Sequence, residues 1–459
     1  MDIKIRNGMV ITSTKTFKAD IGIDKGKVTK ISPQIKEEAV QEIDASGKYV
    51  IPGGVDVHTH FDMPFGGTVT ADNFYTGTVA AACGGTTTVI DFALQQKSHS
   101  LKEAVEIWHG KAKDKAVIDY SFHIAITEIN NKTMDELSEL MKSGITSVKM
   151  FMAYKDSLMV DDATIYAIMA INKKLGLLTM LHCENGAVID FLQKEFLANG
   201  KTRPIYHALS HPPELEDEAV NRAIILARMA EAPIYIVHLS SIGALEEVKL
   251  ARLNKQPVFA ETCPHYLSLT FDKYKTKDFE SAKFVMSPPL RPKNHIPALW
   301  KGIEGGHIQA VSSDHCSFNF GYQKELGSED FTKIPNGVPG VETRLSILYN
   351  EGVVAKRISL NKMVDIFATA PARIFGLYPE KGDIIMNCDA DIVIFDPNRR
   401  FSRKAHKLHH NVDYTPFEGY RGQGAVSNVI FKGKIIVKDK SFIGNKGDGV
   451  FVPRGKFNL

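Results

Sequence analysis

The pattern of apolar and polar positions changes texture twice along the chain. At 4–11 and 20–31, short alternating runs are broken by the turn pairs Asn7-Gly8 and Lys25-Gly26, which predicts β-hairpins. The same texture returns at 390–395 and at 429–437, with Lys432-Gly433 at the bend. Neither end is long enough to enclose a generous core alone. The two are therefore expected to pack into one small discontinuous β-sandwich domain, residues 1–52 plus 378–459.

Between them, in residues 53–377, nearly continuous apolar runs alternate with longer stretches of helical period. Parallel strands covered on both faces read this way. The runs at 55–60, 86–92, 120–126, 147–152, 177–182, 234–238, 258–261 and 308–313 make about eight strands. Helical patterns fall at 102–113, 134–142, 163–174, 219–230 and 244–254. Count and alternation predict an α/β catalytic unit, a (β/α)8 TIM-like barrel. A doubly wound open sheet would want a Gly-rich turn after its first strand, whereas His58-Thr59-His60 stands there.

Composition narrows the partners. The 459 residues carry 56 Lys and Arg against 53 Asp and Glu, interspersed, so nucleic acid is not the implied partner. Apolar residues at 44% and charged ones at 24% match an ordinary globular chain with a large core. No apolar run approaches the ~18 residues of a membrane span, and Met1-Asp2-Ile3-Lys4 lacks a signal-peptide core. A cytoplasmic protein with no membrane partner is expected. The five cysteines are scattered without a CxxC pair and read as reduced thiols.

The chemistry gathers where apolar strands stop. His58 and His60, two apart on a strand, project to one face and can grip one ion. Taken alone, such a pair also suits polar strand-end residues. His182 ends the run 177–181, His238 ends 234–237, and Asp314 follows 309–313. In a (β/α)8 barrel these C-terminal strand ends converge, which brings metal-type side chains together from four separate strands. Lys149 interrupts an apolar run and by itself would be a snorkelling lysine. Beside a cation site its charged form is repelled. The neutral amine could instead combine with carbon dioxide to give a carbamate whose two oxygens bridge two metals.

Gly53-Gly54-Val55-Asp56-Val57-His58-Thr59-His60, the run from Ser147 to Tyr154, His182-Cys183-Glu184-Asn185, His238-Leu239-Ser240-Ser241, Ser287-Pro288-Pro289-Leu290-Arg291 and Ser313-Asp314-His315-Cys316 closely resemble one family. It is the cyclic amidohydrolases called dihydropyrimidinases or D-hydantoinases, and the likeness runs over essentially the whole chain. The resemblance implies a barrel with a flanking β-sandwich, a two-zinc centre and a homotetramer. By position, His58 and His60 would bind the more buried zinc and His182 and His238 the more exposed one. Lys149, carboxylated by CO2, would bridge them with a hydroxide, and Asp314 would complete the buried site. Manganese or another divalent metal also suits this donor set. Tyr154, Ser287 and Asn336 fall on the family's substrate clamps.

The implied reaction is attack of the bridging hydroxide on a ring carbonyl, with the oxyanion stabilised by the exposed zinc and the Tyr154 hydroxyl. Asp314 would act as general acid/base, carrying the proton to the leaving ring nitrogen. The product would be an N-carbamoyl amino acid from a 5,6-dihydropyrimidine or a 5-substituted hydantoin. Met63, Phe65, Phe151 and Leu158 match the family's gate for the exocyclic group. Phe65 is expected to crowd the pocket while Leu158 leaves room, favouring small or flat substituents.

Other readings stay open at this point. Dihydroorotases carry an arginine where Asp62 stands, so an acidic ring would be repelled there, whereas allantoin remains possible. An allantoinase, a phosphotriesterase-like hydrolase and a non-catalytic dihydropyrimidinase-like scaffold are the alternatives. Scaffold relatives have lost the metal ligands, and this chain keeps them. Ser287 before Pro288-Pro289 and Asn336 before Gly337 also suit plain turns, and Tyr154 also suits packing. Cys183 is expected to pack, and Cys316 to come closer to the site without being a ligand. His123, His207, His211 and His265 are expected to be structural or surface residues, with His315 undecided. The basic stretch 399–410 reads as a solvated connection.

Overall fold

The computed structural model describes residues 1–276 and 278–457. The N-terminal alternating segment forms β1 (Ile3–Ile11), β2 (Thr16–Asp24), β3 (Lys27–Ser32), β4 (Gln41–Asp44) and β5 (Tyr49–Pro52). Lys25-Gly26 is the two-residue turn between β2 and β3, with φ of +48° and +76° as a type I′ turn requires. Asn7-Gly8, expected to be a turn, is instead a bulge inside β1, where the register against β2 shifts between Ile5 and Gly8. A Cβ at Gly8 would collide with Val50, so the glycine serves close approach to β5.

The barrel begins with β6 (Gly54–Thr59), after which β7 (Pro64–Phe65) and β8 (Thr68–Val69) make a small hairpin. Then come β9 (Thr86–Leu94), β10 (Asp119–Ala125), β11 (Ser147–Phe151), β12 (Leu178–His182), β13 (Ile234–Ile236), β14 (Val258–Thr262) and β15 (Ala310–Val311). β6 and β9 to β15 form an eight-stranded parallel sheet running β15-β14-β13-β12-β11-β10-β9-β6. β15 and β6 meet past their ends: Thr59 bridges His315, His60 N donates to His315 O at 2.9 Å, and Ser313 N donates to Asp56 Oδ1 at 3.0 Å. These contacts draw the edges together into a nearly closed barrel.

The expected helices are found at Leu101–Ala112, Thr133–Lys142, Asp162–Leu175, Pro213–Met229 and Ile242–Leu253. The helix Phe74–Cys83 shows no helical periodicity, because it is buried on nearly every side and lacks a polar stripe; its only signal is the capping residue Asn73.

The C-terminal strands are β16 (Ile392–Ser402), β17 (Arg421–Phe431), β18 (Lys434–Lys438) and β19 (Ser441–Phe442). β16 pairs antiparallel with β5, so both ends of the chain share one nine-stranded sheet, β19-β18-β17-β16-β5-β1-β2-β3 with β4 on β1. Its apolar interior is built from both ends, with Ile5, Ile21 and Val50 against Ile392, Ile394 and Ile430. Lys381 pins this sheet to the barrel through Asp119 and Asp391, each at 2.7 Å, and Asp389 at 2.8 Å. Farther on, Val452 N donates to Tyr120 O at 2.8 Å, and Arg454 enters the barrel floor to bond Ser121 Oγ at 3.0 Å and Ser147 Oγ at 2.8 Å. The terminal segments thus cover the N-terminal strand ends and leave the C-terminal ends free to carry a site.

Candidate active site

His58 lies in β6 with His60 just beyond it, Lys149 lies in β11, and His182 ends β12. His238 and Asp314 follow β13 and β15 within three residues. Strand spacing sets the geometry. His58 and His60 face one way and their Nε2 atoms stand 3.2 and 3.3 Å from Asp314 Oδ1, a cluster whose ligand atoms all lie within 4.8 Å of one another. Opposite, His182 Nδ1 and His238 Nε2 are 2.9 Å apart, and the His58 and His238 rings are 5.5 Å apart. Lys149 is 1% exposed, its Nζ has no hydrogen-bond partner, and it lies 5.4 and 5.0 Å from the rings of Phe92 and Phe151.

Burial decides the charge states. It pushes Lys149 down to about 8 and His60 to about 4, and it lowers His182 and, further, His238. Neutral imidazole is the form that ligates metal. Burial opposes the charge on Asp314, but nearby His58 and hydrogen-bonded His60 outweigh it and hold the carboxyl below its ordinary range.

Two carboxylates escaped the sequence reading. Glu261 is fully buried, hydrogen-bonds His58 Nδ1, and accepts from Tyr235 Oη at 3.0 Å and Ser312 Oγ at 2.5 Å. Glu184 Oε2 lies 2.9 Å from His182 Nε2. Each carboxylate engages the ring nitrogen turned away from the opposing donors, so His58 Nε2 and His182 Nδ1 point inward. The signals were present in the chain. Glu261 is the charged end of an apolar run, and Glu184 follows His182 by two residues.

All thirteen candidate residues line one cavity: His58, His60, Met63, Phe65, Lys149, Phe151, Tyr154, Leu158, His182, His238, Ser287, Asp314 and Asn336. Tyr154 lies 5.3 Å from the Phe65 ring and 5.2 Å from the His182 ring, and Asn336 Nδ2 donates to Ser287 Oγ at 3.1 Å. Tyr154, His238 and Asp314 hold left-handed φ values of +66°, +38° and +46°. Three residues of the cavity wall are thus held in a backbone conformation that side chains other than glycine adopt at a cost.

Other expectations change. Asp62 does not line the cavity; its carboxylate accepts from Phe74 N at 3.1 Å at the start of helix Phe74–Cys83. Asp62 therefore does not meet an acidic ring directly. Among the described residues, however, no arginine lines the cavity to hold one. Cys316 lines it and Cys183 does not. His315 belongs to the barrel seam, with Nε2 2.9 Å from Asp72 and Nδ1 accepting from Gly340 N at 3.1 Å. His123, His207, His211 and His265 lie outside this cavity. The stretch 399–410 is not simply solvated: His409 Nδ1 lies 3.0 Å from Glu342, and half-buried Arg403 donates to Ser346 Oγ.

Comparison with known proteins places this architecture. Residues 49–436 match the family model described as "Amidohydrolase family". The chain is 50% identical to a D-hydantoinase of Geobacillus stearothermophilus over 454 residues, 99% of this chain and 96% of the relative. A crystal structure of dihydropyrimidinase from Brevibacillus agri matches with a TM-score of 0.99 at 49% identity, covering 100% of both chains. The L-hydantoinase (dihydropyrimidinase) from Arthrobacter aurescens matches at 0.89 with 28% identity, covering 99% of this chain and 100% of the other.

Proposed function

From the premise that this chain belongs to the amidohydrolase family, as a cyclic-amide hydrolase of the dihydropyrimidinase or hydantoinase type, we propose that it opens 5,6-dihydropyrimidines and flat 5-substituted hydantoins to N-carbamoyl amino acids. The observation that carries this reading is the convergence of all thirteen residues on one cavity, with two facing sets of donor atoms.

The donor set fits two divalent ions. Ligand atoms around a tetrahedral zinc stand about 3.3 Å apart, and the separations here are 3.2, 3.3 and 2.9 Å. A buried amine with no partner is what a carbamate would occupy. We assign His58, His60 and Asp314 to one ion and His182 and His238 to the other. Lys149, carboxylated at Nζ, would supply oxygen donors to both; zinc is the first candidate, and manganese also suits the set. Two divalent cations held there would bring a water proton within reach of neutral pH and polarise a carbonyl.

The chain's own residues supply the rest. Asp314 takes the water's proton at Oδ2, the oxygen not facing the histidines, and returns it to the ring nitrogen as the C–N bond breaks. Tyr154 Oη donates to the carbonyl oxygen as charge builds there. Ser287 and Asn336, already in contact, present neighbouring polar groups to the ring amide. Met63, Phe65, Phe151 and Leu158 exclude water and limit the group on C5. Catalysis is assigned to residues 53–377, in a cytoplasmic homotetramer whose size light scattering would test.

Metal-reconstituted protein offered dihydrouracil, 5-phenylhydantoin, 5-isopropylhydantoin, allantoin and dihydroorotate tests the reading. Dihydrouracil and 5-phenylhydantoin should open fastest, and dihydroorotate should not react. Opening of none of the rings would favour a scaffold role, and preference for allantoin would reassign the substrate.

A further inference from the structure

Lys324 is fully buried, and among the described residues no carboxylate forms an ion pair with it. Its Nζ donates instead to three backbone carbonyls: Val285 O at 2.9 Å, Pro335 O at 2.6 Å and Gly337 O at 2.8 Å. Burial pushes the amine down to about 7, but three carbonyl oxygens match the three donors of the ammonium and favour that form.

Those carbonyls belong to two segments far apart in sequence. Val285 precedes Ser287 by two residues, and Pro335 and Gly337 flank Asn336. Gly337 N also donates to Val285 O at 3.0 Å, and the segments meet again where Asn336 Nδ2 reaches Ser287 Oγ at 3.1 Å. Gly337 holds φ +145°, and a Cβ there would collide with Cys316 O, so this segment is already pressed against the barrel. Burying a charge without a counter-charge carries a desolvation cost that an apolar residue of the same volume avoids. Stability alone does not call for lysine here. What lysine does, and an apolar side chain cannot, is fix the spacing of three carbonyls.

We propose that Lys324 is a positioning residue for ring recognition, holding the segments of Ser287 and Asn336 at one spacing so that both side chains meet the cyclic amide. This rests on the reading that those two side chains contact the substrate.

Lys324→Met keeps the stem and removes every donor, while Lys324→Gln restores two N–H donors. In metal-loaded protein, Lys324→Met should raise KM for dihydrouracil about tenfold, with kcat and metal content within about twofold of the parent. Lys324→Gln should fall between. Amide hydrogen exchange should accelerate in peptides covering 284–290 and 334–340 and not elsewhere. A KM within about twofold of the parent, or unchanged exchange in those peptides, would overturn the proposal. A lower melting temperature with KM of the folded fraction unchanged would overturn it equally, because a merely structural lysine behaves that way. Should Lys324→Met fail to fold, Lys324→Gln carries both readouts. Failure of the parent to open any of the rings would sink the proposed function, and the exchange measurement would still decide whether Lys324 holds the two segments together.

Discussion

Two buried lysines at opposite ends of the barrel show how the mouth and the floor differ. Lys381, at the floor, is surrounded by Asp119, Asp389 and Asp391 within 2.8 Å, and although burial works against its charge, those carboxylates raise its pKa above the ordinary value. Lys149, at the mouth, is equally buried but has no hydrogen-bond partner, and burial lowers it to about 8. Lys381 is fully partnered. The mouth also leaves His60 Nδ1 and His238 Nδ1 unpartnered and gathers three left-handed residues. An unpartnered amine beside unpartnered imidazole nitrogens and left-handed backbone at one cavity is the combination expected of a site shaped by function.

Exchanging each lysine for methionine should drive the contrast apart. Lys149→Met is expected to reduce kcat/KM for dihydrouracil by on the order of 10³-fold or more, while the melting temperature of metal-free protein holds or rises, because an unpaired buried charge is removed. Steady-state kinetics with calorimetry reads both halves. Lys381→Met should do the reverse. It leaves three carboxylates facing one another and should cost about 3–5 kcal/mol of stability, with kcat/KM per folded molecule unchanged. Denaturant titration measures this.

Within the mouth, Glu261→Gln separates positioning of a donor from the donor itself. The amide keeps the shape but weakens the hold on His58 Nδ1, and metal affinity measured by competitive chelation should fall about 10–100-fold. The smallest effect is expected at the seam. Burial opposes the charge on Asp72, but hydrogen-bonded His315 outweighs it and brings its pKa down to about 2. A depressed carboxylate contributes stability that is complete above its ordinary value and is lost as pH falls through the folded one. Asp72→Asn should therefore flatten the acid limb of the stability profile between about pH 4 and 2 by roughly 1–2 kcal/mol.

Much of this was legible because a barrel announces its mouth: His58, His182, His238 and Asp314 each stand where an apolar run stops. Lys149 was legible as a charge inside such a run. Glu261 was not, because at the end of a run it looks like a boundary and not a partner. Helix Phe74–Cys83 was hidden for want of a polar face, and Asn7-Gly8 looked like a turn because a bulge uses the same residues. Lys324, between Gln323 and Glu325 in a polar loop, reads as solvated, and only the tertiary fold reveals its three carbonyls. Arg454 was equally silent, since its place in the floor depends on a terminal arm crossing the whole barrel.

Lys149 is the residue on which the proposed chemistry depends most. Protein reconstituted with zinc in ¹³C-bicarbonate, then digested and weighed under mildly alkaline conditions, should show a Lys149 peptide heavier by one labelled carbon dioxide in proportion to bound metal. A fully active preparation holding two ions per chain with an unmodified Lys149 peptide, and no labelled carbamate resonance in the intact protein, would contradict it.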